Sequence, residues 1–205
     1  MKISYNRYYI VCVAIVSALY MIKNCHVDDA VEQINQSEYG AHHLVIYPDI
    51  RVLRQLYTKY VKKQLEDENK IVLMLPHYET TDNLRKILFA TEEDKKYEDS
   101  FIAMDSLKGH FGLSNHMAFV NELVKRAENS SKNGVLVIAD AGPFFHLNKR
   151  DKLMEHELSM PSQFDINLKR LCVFHEQDFN RLTEEQRQKL VKHHRQVLML
   201  EDRWE

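Results

Sequence analysis

The chain has 205 residues, 44% of them hydrophobic and 28% charged, enough apolar material for one globular domain with a substantial core. A formal net charge of −2 argues against a polyanion-binding surface, so no direct nucleic-acid partner is expected. Three cysteines, Cys12, Cys25 and Cys172, have no metal-cluster spacing and cannot all pair, which points to a reducing, cytoplasmic setting.

Residues 8–22 (YYIVCVAIVSALYMI) form an uninterrupted apolar run between Lys2 and Arg7 on one side and Lys23 on the other. A spanning helix needs about 20 apolar residues, and this run is shorter. No Ala-x-Ala cleavage site follows it. It reads as a short membrane anchor, an appended buried helix or a signal segment. The acidic stretch 28–38 then reads as a connector or short helix, so that 1–39 is an appendage and 40–202 the domain.

Within the domain, apolar runs alternate with amphipathic periodicity. Residues 42–47, HHLVIY, predict a strand, and Asp49 is placed to cap a helix in which Ile50, Leu53, Leu56, Tyr57, Tyr60 and Val61 recur at helical steps. Residues 71–75 predict a strand buried on both faces, followed by a helix behind Thr80, Thr81 and Asp82. A short strand at 101–104 ends on Asp105. Ser114 opens a helix with Met117, Val120, Leu123, Val124 and Ala127 on one stripe. Residues 135–139 are a strong interior strand ending on Asp140, and a helix with Leu153, Met154, Glu157 and Leu158 stops near Pro161. Residues 171–174 give a strand ending on His175, Thr183-x-x-Gln186 a capping box at the start or a kink of the last helix, and 196–200 a final strand. Continuous apolar strands alternating with helices imply an α/β fold, a mainly parallel sheet with helices on both faces. Ligands of such sheets bind along the rim where the strands end.

The loop after the first strand, Tyr47-Pro48-Asp49-Ile50-Arg51, has none of the glycines and no Gly-Lys-Ser/Thr with which an NTPase cradles phosphate. At or near strand ends stand His77, Glu79, Asp140 and His175. Asp140 reads either as a helix cap or as the carboxylate that orders magnesium, with Glu79 as base, in a divergent NTPase. Cys172-x-x-His175 places its two members on opposite faces of a strand, and Cys172 reads as core. His193 and His194 fall at a helix end, where they suit the dipole, and His110, His116 and His156 have no zinc-site spacing, so no metal and no cofactor is expected. His42 or His43 must find a partner at the head of a buried strand, and Glu157 on an apolar stripe needs a donor. No hydrolase, metalloprotease or dinucleotide fingerprint occurs, so no catalytic residue is assigned.

Taken in order, several features together resemble a MEDS domain, the sensory domain of methanogen and methylotroph proteins. These are His42 or His43 opening the first strand, the helix leading to 71–74, Asp140-Ala141-Gly142, Glu157 before Pro161, and the tail block Leu171-Cys172-Val173-Phe174-His175-x-x-Asp178-Phe179 with Leu182 and His193-His194. That family is similar to the recombinase-type (RecA-like) ATPase core without its phosphate loop. The resemblance covers about residues 40–200. It implies a three-layer sandwich and a non-catalytic sensing role in prokaryotic signalling, with a small organic ligand and a signalling protein as partners. The expected site is one pocket at the strand C-termini, formed from His42, His43, His77, Glu79, Asp140, Glu157, Cys172 and His175. The divergent nucleotide binder or NTPase using Asp140 and Glu79, and a membrane-tethered adaptor without ligand held through residues 8–22, are the other readings.

Overall fold

The computed structural model describes residues 22–38 and 40–202. Seven parallel strands form one sheet: β1 (Ile22–Cys25), β2 (His42–Tyr47), β3 (Ile71–Leu75), β4 (Phe101–Ala103), β5 (Val135–Asp140), β6 (Leu168–His175) and β7 (Gln196–Leu200), in the order β1-β7-β2-β6-β5-β3-β4. The α/β fold read from the sequence is the observed one, and every strand pair is parallel.

Each of β1 to β6 is followed by helical chain that crosses back over the sheet. On one face lie α1 (Val27–Gln36), the run α2 (Ile50–Leu56), π-turn (Tyr57–Val61) and α3 (Lys62–Glu66), and α4 (Thr81–Leu88). The short α5 (Glu92–Lys95) precedes β4. The other face is covered by α6 (His116–Asn129), α7 (Gly142–His146), α8 (Arg150–Ser159), α9 (Glu176–Asn180) and α10 (Glu184–His193). Two apolar cores result. Leu44, Ile46, Val137 and Phe174 serve the second face, while Val45, Tyr47, Leu136 and Val173 serve the first. The strands are apolar throughout because both faces are buried, each large aliphatic side chain contributing about 1.5–3 kcal/mol.

Local chemistry fixes the ends. Asp49 caps α2 by accepting from the amides of Arg51 and Val52, and Thr183 forms a capping box with Gln186 at the start of α10. Gly40, with φ at 76°, lets the chain pass so close to Phe164 that a Cβ would stand 1.9 Å from the Phe164 carbonyl oxygen. That turn delivers His42 into the sheet.

Residues 8–21 of the apolar run lie outside the described residues, whereas Ile22 opens β1. The stretch read as connector or short helix is α1, and β1 before it pairs with β7, so this part of the chain is built into the sheet. Among the described residues no helix is long and apolar enough to cross a membrane.

Candidate functional site

The residues expected in one pocket occupy three places. Alternation along β2 sends His42 to one face and His43 to the other. His43 packs towards α1, where its Nε2 meets Ser37 Oγ at 2.9 Å, and burial holds its pKa down at about 3. It shares nothing with His42 or Cys172. Next to it the Lys169 ammonium donates to the Ile34 carbonyl at the end of α1, at 2.7 Å.

The rim holds His77, Glu79, Asp140 and His175. Loops leave β2 towards one face and β6 towards the other, so the crevice between Tyr47 and His175 is a topological switch point. A cavity of about 390 Å³ opens there, lined by Tyr47, Asp49, Tyr78, His175, Gln177 and Asp178 among others. Its walls are aromatic: the His175 ring lies 5.3 Å from Tyr47 and 5.6 Å from Tyr78. Tyr78 donates to Asp178 at 2.6 Å.

Asp140 lies beneath this crevice with 1% exposure. It accepts from Tyr47 Oη at 2.9 Å and from the Gly142 amide at 2.8 Å. Burial pushes its pKa up to about 7, against the pull of those two hydrogen bonds. Gly142 is required here, since a Cβ would stand 2.1 Å from the His77 ring. Tyr47→Phe should cost about 1–3 kcal/mol, because Asp140 Oδ2 loses its donor. The penalty should be larger at pH 8, where the carboxylate is ionised, than at pH 5; urea denaturation at both values measures it.

Glu79 is not free to act as a base. It is bound by Arg54 Nε and Asn83 Nδ2, both at 2.5 Å, and these bonds outweigh burial to leave its pKa lowered. His77 is half-buried beside His146 and Tyr78, and His175 caps α9 by accepting from the Gln177 amide.

The third place is a buried polar centre under the second face. His42, Glu157, Cys172 and His194 are 0%, 2%, 1% and 3% exposed, and one ligand atom from each lies within 4.8 Å of the others. The crossover helices explain this gathering. α8 and α10 run back from the rim, so their C-terminal residues Glu157 and His194 arrive where β2 begins. The register then sets Arg170 opposite His42, and Cys172 one step further along. The expected placing of His42, His43, Glu157 and Cys172 at the rim is thus corrected: both histidines stand at the head of β2, Phe174 and Ile46 lie between Cys172 and the strand ends, and Asp140 faces the opposite side.

His42 Nε2 lies 3.2 Å from Cys172 Sγ and 3.8 Å from Glu157 Oε2; His194 Nε2 lies 3.4 Å from the same oxygen. On their far sides His42 Nδ1 meets the Pro161 carbonyl at 3.1 Å and His194 Nδ1 the Leu190 carbonyl at 2.8 Å. Burial pushes the Cys172 thiol well up and His42 down to about 2. For Glu157 burial acts upward, but His194 and Arg170 outweigh it and its pKa is lowered.

Arg170, fully buried, borders this centre. Its Nε reaches Cys172 Sγ at 3.4 Å, Nη1 meets His116 Nε2 at 2.8 Å and Nη2 meets His156 Nε2 at 3.4 Å. His110 stands 5.3 Å from the His156 ring, its Nε2 on the Asp140 carbonyl. The histidines without zinc-site spacing are therefore packed around one guanidinium. Sequence reasoning missed Arg170, and it assigned His194 only a favourable charge at a helix end. Its position just ahead of the final strand was the signal that it returns to the head of β2.

Compared with descriptions of known protein families and with characterised proteins, the chain matches none.

Proposed function

We propose that the chain is a non-catalytic sensory domain that binds a small organic molecule in the cavity between the ends of β2 and β6. The observation that carries this reading is the state of the α2 N-terminus. In a phosphate-binding domain of this layout the first amides of that helix face the anion. Here the Asp49 carboxylate takes the amides of Arg51 and Val52, and puts negative charge where phosphate would lie. Asp178 stands at the same rim, and each of these two carboxylates has its own cation, Arg51 on Asp49 and Arg181 on Asp178, both at 2.9 Å. Tyr47, Tyr78 and His175 offer aromatic walls with polar tips, suited to a neutral or cationic organic molecule. Transmission to a signalling partner protein is part of the same reading, as is a cytoplasmic place for the domain.

Equilibrium dialysis of the full chain against ATP with magnesium should show no retention. Small amines and alcohols screened by NMR should shift the ring resonances of Tyr47, Tyr78 and His175, and Tyr78→Ala should remove those shifts. Retention of ATP, or ATP hydrolysis abolished by Asp140→Asn, would instead favour a divergent NTPase.

A further inference from the structure

We propose that His42, Glu157, Cys172 and His194 form a binding site for one divalent metal ion of the zinc class, apart from the rim cavity and near the start of β2 under the second face. The donor set is two imidazoles, one thiolate and one carboxylate, a combination suited to a borderline-soft ion. A tetrahedral ion with bonds of about 2.0–2.3 Å sets its donors about 3.3–3.8 Å apart. Three of the six donor pairs lie close to that range, at 3.2, 3.4 and 3.8 Å, and all six fall within 4.8 Å, so the shell draws in by up to about 1 Å on binding.

The second shell has the arrangement such sites require. Backbone carbonyls only accept, so His42 and His194 each carry a proton on Nδ1 and turn the Nε2 lone pair inwards. Arg170 Nε donates towards Cys172 Sγ, which favours a thiolate. Phe164 packs against His42 and keeps the surroundings apolar.

Two of the four ligand atoms also lack any other satisfaction. Glu157 Oε2 and His194 Nε2 are buried and have no hydrogen-bond partner among the described residues. Two acceptor atoms facing each other at 3.4 Å repel unless a cation lies between them. A proton on His194 would answer for that one contact. The Cys172 thiol can likewise donate to His42 Nε2 at 3.2 Å, so what protons leave unexplained is the gathering of all four ligand atoms within 4.8 Å of one another. An ion bound to one thiolate and one carboxylate has its two positive charges matched, and the Cys172 proton passes to solvent on binding.

The full chain purified without chelator should carry about one zinc per molecule by elemental analysis. Chain stripped of metal and titrated with cobalt(II) should develop a sulfur-to-cobalt charge-transfer band with tetrahedral ligand-field absorption. Cys172→Ser should abolish the band, and Glu157→Gln and His194→Ala should each weaken cobalt binding by more than the roughly 10- to 100-fold that loss of an outer-shell partner costs. The cobalt spectrum of the unaltered chain decides the matter even where a variant fails to fold. Absence of the band, or a band that survives Cys172→Ser, overturns the proposal. Neither readout involves the rim cavity, so this result and the ligand screen stand or fall separately.

Discussion

Arg170→Ala is expected to lower folding stability by about 3–5 kcal/mol, the range for removing one member of a buried charged network. The guanidinium is the largest fully buried side chain and serves His116, His156 and Cys172 from its three nitrogens. Its loss strands two ring nitrogens, opens a cavity and leaves Glu157 without its nearby cation. Arg170→Lys should recover only a minor part, since a single ammonium cannot fork to three acceptors. Urea denaturation of the three proteins measures this. A loss below about 1 kcal/mol for Arg170→Ala would mean that the network contributes little.

Acid should destabilise the fold well before ordinary carboxylates titrate. Burial holds His43, His110 and His116 each at about 3, far below the ordinary imidazole value of 6.5. The unfolded chain therefore binds protons that the folded chain refuses, and the stability these groups provide above pH 6.5 is lost as the pH falls towards 3. Asp140 works the other way. Its raised pKa makes the folded chain bind a proton between about pH 4 and 7, so it gains stability on acidification. His42, His77, His156 and His193 are lowered too, so against Asp140 the imidazoles prevail: the unfolded chain takes up protons on balance, and at least about 3 kcal/mol is lost between pH 7 and 5. Against a typical total of about 5–15 kcal/mol this is a large share. Urea midpoints across that range should fall with pH; a flat or rising profile would contradict the burial of neutral imidazoles. In Asp140→Asn the fall should be steeper, because the opposing group is gone.

The strands were legible because burial on both faces leaves little but apolar side chains along them, as in residues 71–75 and 135–139. β6 was read too short for the same reason. Lys169 and Arg170 look like a strand boundary, since such residues are seldom buried. In the structure Lys169 reaches the carbonyls at the end of α1, and Arg170 is enclosed by histidines. Periodicity also told His42 from His43 in principle, but not which face carried chemistry. That depended on where α8 and α10 end, over 100 residues away in the chain.

The absent phosphate loop was plain in the sequence, and the position of Asp49 as a cap with it. What the sequence did not convey is that Glu157, Cys172 and His194 leave the rim. Spacing rules for metal sites presuppose ligands on one hairpin or one helix. Here two strands and two crossover helices each supply one side chain, so no short motif marks the set.

Zinc K-edge X-ray absorption of the zinc-loaded full chain reads the buried quartet as a metal centre most directly. One sulfur at about 2.3 Å with imidazole nitrogens and a carboxylate oxygen at about 2.0–2.2 Å is expected. A first shell of nitrogen and oxygen only, without a sulfur scatterer, would place the ion elsewhere and contradict that reading.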